Sequence, residues 1–336
     1  MAERTRLMPA LAGYVARRLL AGVVVLWGAA TVTFVALHRI GGDPVDAVVG
    51  PTVSPTPGLR RQITQEYGFD QPLIVQYGRW LGRLIGGDLG RSYQLGRPVT
   101  AVLADQVWPT CALALSAVLL ASVSAVVTAL ATAGRGRVVR GLVSGAELAV
   151  VSLPSFWLGL LALSFLSFRW HLFPVAGDQG FAALVLPAVT LALPVAGVLA
   201  QVLRQCLDEA LTQPFVLTVR TRGVPEALVL TRHALRHAAI PVVTLAGWVV
   251  GSLLGGAVLI ETVFARPGLG RVLLAAVGSK DTPVVAAIVL LSAAAFTCVN
   301  LLVDLAYPAL DPRLRTAPTA HRTRPKPTTA AKESPV

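Results

Sequence analysis

Charge is scarce in this chain. Asp, Glu, Lys and Arg make up 14% of its 336 residues, where a soluble domain carries about a quarter, so water is excluded as the solvent for most of it. Alternation of apolar and polar residues is missing as well, which excludes a transmembrane β-barrel built from segments of about ten residues with period two. Lysine is rarest among the charged types. None of Lys280, Lys326 and Lys332 follows a glycine, so there is no G-x-x-x-x-G-K-[ST] loop to wrap a phosphate, and the chain is not read as hydrolysing nucleotide by itself. Cysteine is limited to Cys111, Cys206 and Cys298, an odd set at spacings that give no disulfide framework. Histidine is confined to His38, His171, His233, His237 and His321, all in loops or at the edges of apolar runs. That argues against an intramembrane serine protease. His233 and His237 share a helix face, but Ala234 stands where a zinc H-E-x-x-H site needs Glu, and nothing asks for a metal or a cofactor.

What the chain does contain is long apolar runs. Residues 19–37, 107–133, 141–168, 181–203, 240–260 and 284–303 hold at most one charge each, and each reaches the roughly 20 residues that cross a hydrocarbon core as helix. The expectation is an all-α polytopic membrane protein with six transmembrane helices. Net charge is +12, which read alone suggests nucleic acid. Sorted by loop, 18 of the 29 basic residues fall on the side that holds both termini, many in short loops, the pattern of the positive-inside rule. Both termini are therefore expected in the cytoplasm, with the chain in the cytoplasmic (inner) membrane, its basic loops against anionic lipid, and no nucleic-acid partner.

The connecting segments are unequal. Outside, residues 38–106 carry Leu73, Ile74, Tyr77, Trp80, Leu81 and Leu84 at helical spacing, stopped by Gly86-Gly87. This helix suits the membrane interface, either capping the bundle or receiving an external partner. Inside, residues 204–239 are too long for a simple turn. There Phe215, Val216 and Val219 form an apolar stripe beside Arg220 and Arg222, Gly223 interrupts, and Pro225 with Glu226 starts a second helix. The resulting helical hairpin rests on lipid or plugs into a partner. The chain divides into 1–106, a helix and long outer loop; 107–310, a five-helix core; and 311–336, a Pro- and Thr-rich tail expected to be disordered. Prolines 109, 154, 187, 194 and 241 lie in the spans, as in a bundle that encloses a pathway. Within the spans Glu147 is the one clear charge. It lies about two turns from the cytoplasmic end, within reach of Arg140 or an Arg on a neighbouring helix. With Asp304 at a span edge, this suggests structural pairing, whereas a proton-coupled transporter places carboxylates near the midplane.

Several co-linear motifs carry a resemblance. They are Gly42-Asp43-Pro44, Tyr67-Gly68-Phe69-Asp70-Gln71-Pro72-Leu73, Gly87-Asp88-Leu89-Gly90-Arg91-Ser92, Leu153-Pro154-Ser155-Phe156-Trp157, Glu261-Thr262-Val263-Phe264 with Pro267-Gly268-Leu269-Gly270, and Asp311-Pro312-Arg313. From about Tyr14 to Arg315 the chain resembles the permease subunits of bacterial ABC importers for dipeptides, oligopeptides and nickel. The resemblance implies a type I importer bundle, paired with a second homologous permease, two cytoplasmic ATP-binding subunits and an extracytoplasmic substrate-binding protein. It maps the family's E-A-A…G coupling loop onto the hairpin, with Gly223 as its glycine, while the E-A-A positions read Leu217-Thr218-Val219. Arg266 stands where an aromatic residue is common. Coupling to the ATPase is assigned to Phe215, Val216, Val219, Arg220, Arg222, Gly223 and Glu226. Pro154, Ser155, Phe156, Trp157 and Pro194 are candidates for the pathway or its packing. Peptide is preferred as substrate over nickel or another small solute, because nickel asks for His, Cys or carboxylate clusters facing outside.

Overall fold

A computed structural model of the chain describes residues 2–39, 43–50, 55–177 and 180–310. The expected disordered tail, the Asp311-Pro312-Arg313 motif and Gly42 lie outside the described residues. Among the described residues the structure is helical throughout, with a single isolated β-bridge between Arg91 and Pro98. The elements are α1 (Ala2–Arg39), α2 (Pro44–Val49), α3 (Pro57–Tyr67), α4 (Leu73–Ile85), α5 (Val99–Thr132), α6 (Arg137–Ser152) and α7 (Ser155–Ala162), which runs into a π-helical stretch, Leu163–Arg169. Then come α8 (Ala182–Leu211), α9 (Pro214–Thr221), α10 (Glu226–Leu228), a second π-helical stretch (Val229–Ala234), α11 (Leu235–Thr244), α12 (Ala246–Val263), α13 (Leu269–Gly278) and α14 (Thr282–Leu310).

Four helices cross a membrane by length and composition alone, and two bent pairs bring the number of spans to six. The expected continuous third span, 141–168, is one of these pairs: α6 and α7 meet at 101°. The cause is Pro154, which disfavours helical geometry for the residue before it. Leu153 is extended at φ −91° and ψ 136°, and α7 restarts with the Pro154 carbonyl accepting from Trp157 and Leu158. The fifth span, expected at 240–260, belongs to the second pair, bent by 57° between Glu226–Thr244 and Gly247–Val263. Prolines 109, 187, 194 and 241, in contrast, are carried inside helices.

The main core lies where α5, α7, α8 and α12 meet, around Leu113, Ala117, Ala121, Leu191, Val195, Leu253 and Ile260. Alanine recurs along the buried face of α5 at 117, 121, 125 and 129, spaced by one turn, so α5 and α8 approach closely. Gly256 continues this logic, since a Cβ there would lie 2.7 Å from Leu191 Cδ1. Gly251 and Gly255 divide: the first faces Phe296 of α14, and the second faces open space.

The segment between α1 and α5 is docked rather than free. On α4, Tyr77 shares a 2.8 Å hydroxyl contact with Thr31 of α1, and Phe34 packs against both Tyr77 and Trp80. The Gly87–Ser92 turn is clasped by Asp281, just before α14. Its buried carboxylate accepts from the Ser92 hydroxyl and from the amides of Tyr93 and Gln94, at 3.2 and 3.3 Å. Burial there pushes the Tyr93 phenol up from its ordinary value.

Candidate functional site

The hairpin of residues 214–244 has a helix, a glycine turn and a second helical limb. Pro214 opens α9, and Gly223 adopts φ +75° after the Gly223 amide bonds back to Arg220. This left-handed geometry favours glycine. Pro225 then precedes α10. Across the turn, Arg220 grips Glu226 with two parallel hydrogen bonds, Nε to Oε2 at 3.1 Å and an NH2 to Oε1 at 2.5 Å. The fork geometry fixes both limbs, and the guanidinium holds the Glu226 carboxyl below its usual range.

The apolar stripe is oriented differently from its expected role as an outward docking surface. Val216 is 1% exposed, Phe215 packs its ring on His237 at 4.8 Å, and Val219 is half-buried. These three side chains hold α9 against the chain's own second limb, where Val229 and Ala234 are also buried. The physical reason is that a two-helix projection needs an interior of its own, and the stripe is the apolar face α9 has available for it. The outward surface is instead made by Leu217, 68% exposed, and Leu228, together with Arg220, Arg222 and Glu226.

At the 101° bend, Pro154, Phe156 and Trp157 are exposed and Ser155 is half-buried, so these residues sit together on one corner. Pro194 is half-buried inside α8, away from that corner in sequence and in element. The floor of α7 is Gly159, whose missing Cβ admits Phe264, with Thr190 of α8 beside it.

Three buried charged groups organise the spans, and their sequence signals were of unequal strength. Glu147 of α6 pairs with Arg204 of α8, both nearly buried, and Arg204 also reaches the Thr132 hydroxyl at 3.4 Å. Of the two partners its position offers, Glu147 takes an Arg on a neighbouring helix, while Arg140 pairs with Asp208. Glu261, fully buried, accepts from the Thr110 hydroxyl at 2.6 Å and from the amides of Gly270 and Arg271 at 2.7 and 3.3 Å. It thus caps the N-terminus of α13, where a carboxylate is favoured by the exposed amides. Thr110 in turn accepts from the Leu269 amide at 2.8 Å. The Glu261 and Pro267–Gly270 motifs are therefore one device. A Cβ at Gly268 would overlap the Glu261 carboxyl, and one at Gly270 would overlap Val258 Cα.

Comparison with known proteins agrees with this architecture. The profile of the family described as "Binding-protein-dependent transport system inner membrane component" matches residues 117–316, and that of its N-terminal region matches 11–114. A Brucella abortus protein described as a peptide transport system permease is 37% identical over 308 residues, covering 89% of this chain and 98% of its own length. The glutathione transport system permease protein GsiC of Salmonella typhimurium is 36% identical over 305 residues, with 90% and 98% covered. Its counterpart in Escherichia coli O6:H1 is 34% identical over 303 residues, again with 90% and 98% covered. With residues 11–114 and 117–316 both matched and relatives aligned over about nine-tenths of its length, the chain belongs to the family of binding-protein-dependent transport system inner membrane components, as a multi-pass permease subunit of an ABC importer.

Proposed function

We propose that this subunit forms one side of a translocation pathway for peptides and that its hairpin is the contact through which ATP-binding subunits drive it. The family carries dependence on a binding protein in its description, and an ATP-binding component is what an importer of this kind requires to be driven. A second homologous permease completes the pathway opposite the corner formed by Pro154, Ser155, Phe156 and Trp157. Both termini face the cytoplasm and basic loops lie against lipid head groups. The observation that carries the reading is the hairpin itself: a helical projection with its own small interior, a glycine-set turn, and Leu217, Leu228, Arg220 and Arg222 on its outer surface. Peptide as substrate is supported by relatives whose names speak of peptide and glutathione transport.

Two measurements test it. Cells lacking this subunit lose uptake of labelled di- and oligopeptides and keep nickel uptake; the reverse pattern assigns the complex to nickel. The purified chain hydrolyses no ATP above a contaminant control, while the assembled complex does so and is stimulated by loaded binding protein. Turnover by the chain alone would refute the division of labour.

A further inference from the structure

Helices α6 and α8 run antiparallel and are tied at three levels. A Cβ on Gly197 of α8 would lie 2.7 Å from Val151 Cγ2 and 3.4 Å from the Glu147 carbonyl, so the backbones are in close approach there. Further toward the cytoplasm Glu147 meets Arg204, with one guanidinium nitrogen on each carboxylate oxygen. Beyond that Arg140 of α6 meets Asp208 of α8 at 3.1 Å. The ties span 12 residues on each helix, 140–151 and 197–208, or about 16 Å of helix at 1.5 Å per residue step. The two ion pairs have opposite polarity, acid to base and then base to acid, so a slide of one helix along the other brings like charges together. The inner pair has the stricter demand. Glu147 is 8% and Arg204 6% exposed, and separating them leaves two unpaired charges in apolar surroundings.

The two ends of this pair of helices differ. At its cytoplasmic end α8 continues through Thr212 and Gln213 into α9 of the hairpin. At its other end α6 stops at Ser152 and turns through 101° at Leu153-Pro154 into α7. The seat of α7 is apolar, with Gly159 against Phe264, Val263 and Thr190 Cγ2, contacts that permit sliding where ion pairs do not. We propose that Glu147 and Arg204 are positioning residues for transport: they make α6 ride with α8 and the hairpin as one body, so that movement of the hairpin is delivered to the Leu153-Pro154 corner and shifts α7.

This rests on the reading of the hairpin as the ATPase contact. The test uses the full complex of both permeases, the ATP-binding subunits and the binding protein in liposomes. Spin labels at Leu142 of α6 and Gln205 of α8, both exposed, report the tied pair. Labels at Leu160 of α7 and Gln205 report across the corner. Between the nucleotide-free and vanadate-trapped states the first distance stays constant and the second changes. A change in the first, or constancy of both, overturns the proposal. Glu147→Gln and Arg204→Gln, compared at equal complex abundance, each raise the ATP consumed per peptide imported by about tenfold, a coupling of ordinary size, and the exchange Glu147→Arg with Arg204→Glu restores the ratio to within about twofold of the original. Uptake and hydrolysis falling together in proportion to abundance would show a folding pair and nothing more. A wild-type complex that imports no peptide refutes the functional reading instead, which keeps the two failures distinct.

Discussion

Glycines in this chain occupy two physically different situations, and substitutions separate them. At Gly223 the backbone is left-handed but a Cβ would meet nothing within 4 Å, so the cost is conformational alone. Gly223→Ala is expected to lose about 1–2 kcal/mol of hairpin stability, and Gly223→Asn less, because Asn tolerates this geometry. Uptake at matched abundance, ranked Gly, Asn, Ala, checks this; Ala and Asn equal to wild type would remove the turn from the mechanism. At Gly270 the backbone is seated on Val258, and Gly270→Ala forces α12 and α13 apart, costing about 1–3 kcal/mol as overpacking does. Gly255→Ala, facing open space, stays within about 0.5 kcal/mol of wild type. Thermal midpoints of the purified complex order the two, and equal midpoints would contradict the packing. The pair of Arg220 and Glu226 carries a pH dependence of defined sign. The folded-state pKa of Glu226 is lowered, so its contribution is complete above the ordinary carboxylate value of about 4.3 and fades as pH falls through the lower folded value. Spin labels either side of Gly223 therefore report one distance from pH 8 to about 5 and a broader distribution only below about pH 4. Broadening already near pH 6 would implicate another group. The exposure of both side chains keeps the effect small.

Among elements, those with a strong period or a breaking residue were legible in the sequence. The spacing of Tyr77, Trp80 and Leu84 and the stop at Gly86-Gly87 correspond to α4, Leu73–Ile85, and Pro214, Gly223 and Pro225 delimit the hairpin limbs. The 101° bend was less legible, because apolar composition runs unbroken across Leu153-Pro154 and hydropathy is blind to direction. The inward rotation of Phe215 and Val216 was hidden for a related reason: an apolar stripe marks a buried face without saying which surface buries it. Glu261 and Asp281 illustrate the last gap, since their partners lie on α5 at Thr110 and in the outer loop at Ser92, separations that a single sequence leaves silent. The orientation of these elements has a direct check. In a cysteine-free background Thr56→Cys reacts with an impermeant maleimide from outside, and Val138→Cys, on the exposed side of α6, reacts only after permeabilisation. Reversed labelling would invert the topology.

For the whole molecule, the attachment of α1 has a consequence for how the protein is made. Its first half is held by late residues: Arg18 pairs with Asp304 at 2.7 Å, and the face at Gly22 meets Thr297 of α14, whereas its second half meets α4 through Thr31 and Phe34. Much of its remaining surface, including Leu20, Val23 and Val32, is exposed to lipid. The first half of α1 is thus secured by α14, and at about 5–20 residues per second some tens of seconds pass before α14 follows α1 into the bilayer. Through that interval α1 is held by insertion and by its contact with α4, while the cluster around α5 and α8 assembles without it. A chain ending at Lys280 should therefore keep protease protection of α5 through α12 and cross-linking of α1 to α4, while cross-links from the Arg18–Gly22 end of α1 to the bundle are lost. Assembly of this subunit includes a lateral capture of α1 by α14 in the membrane, late enough for quality-control proteases to act on the loose end of α1.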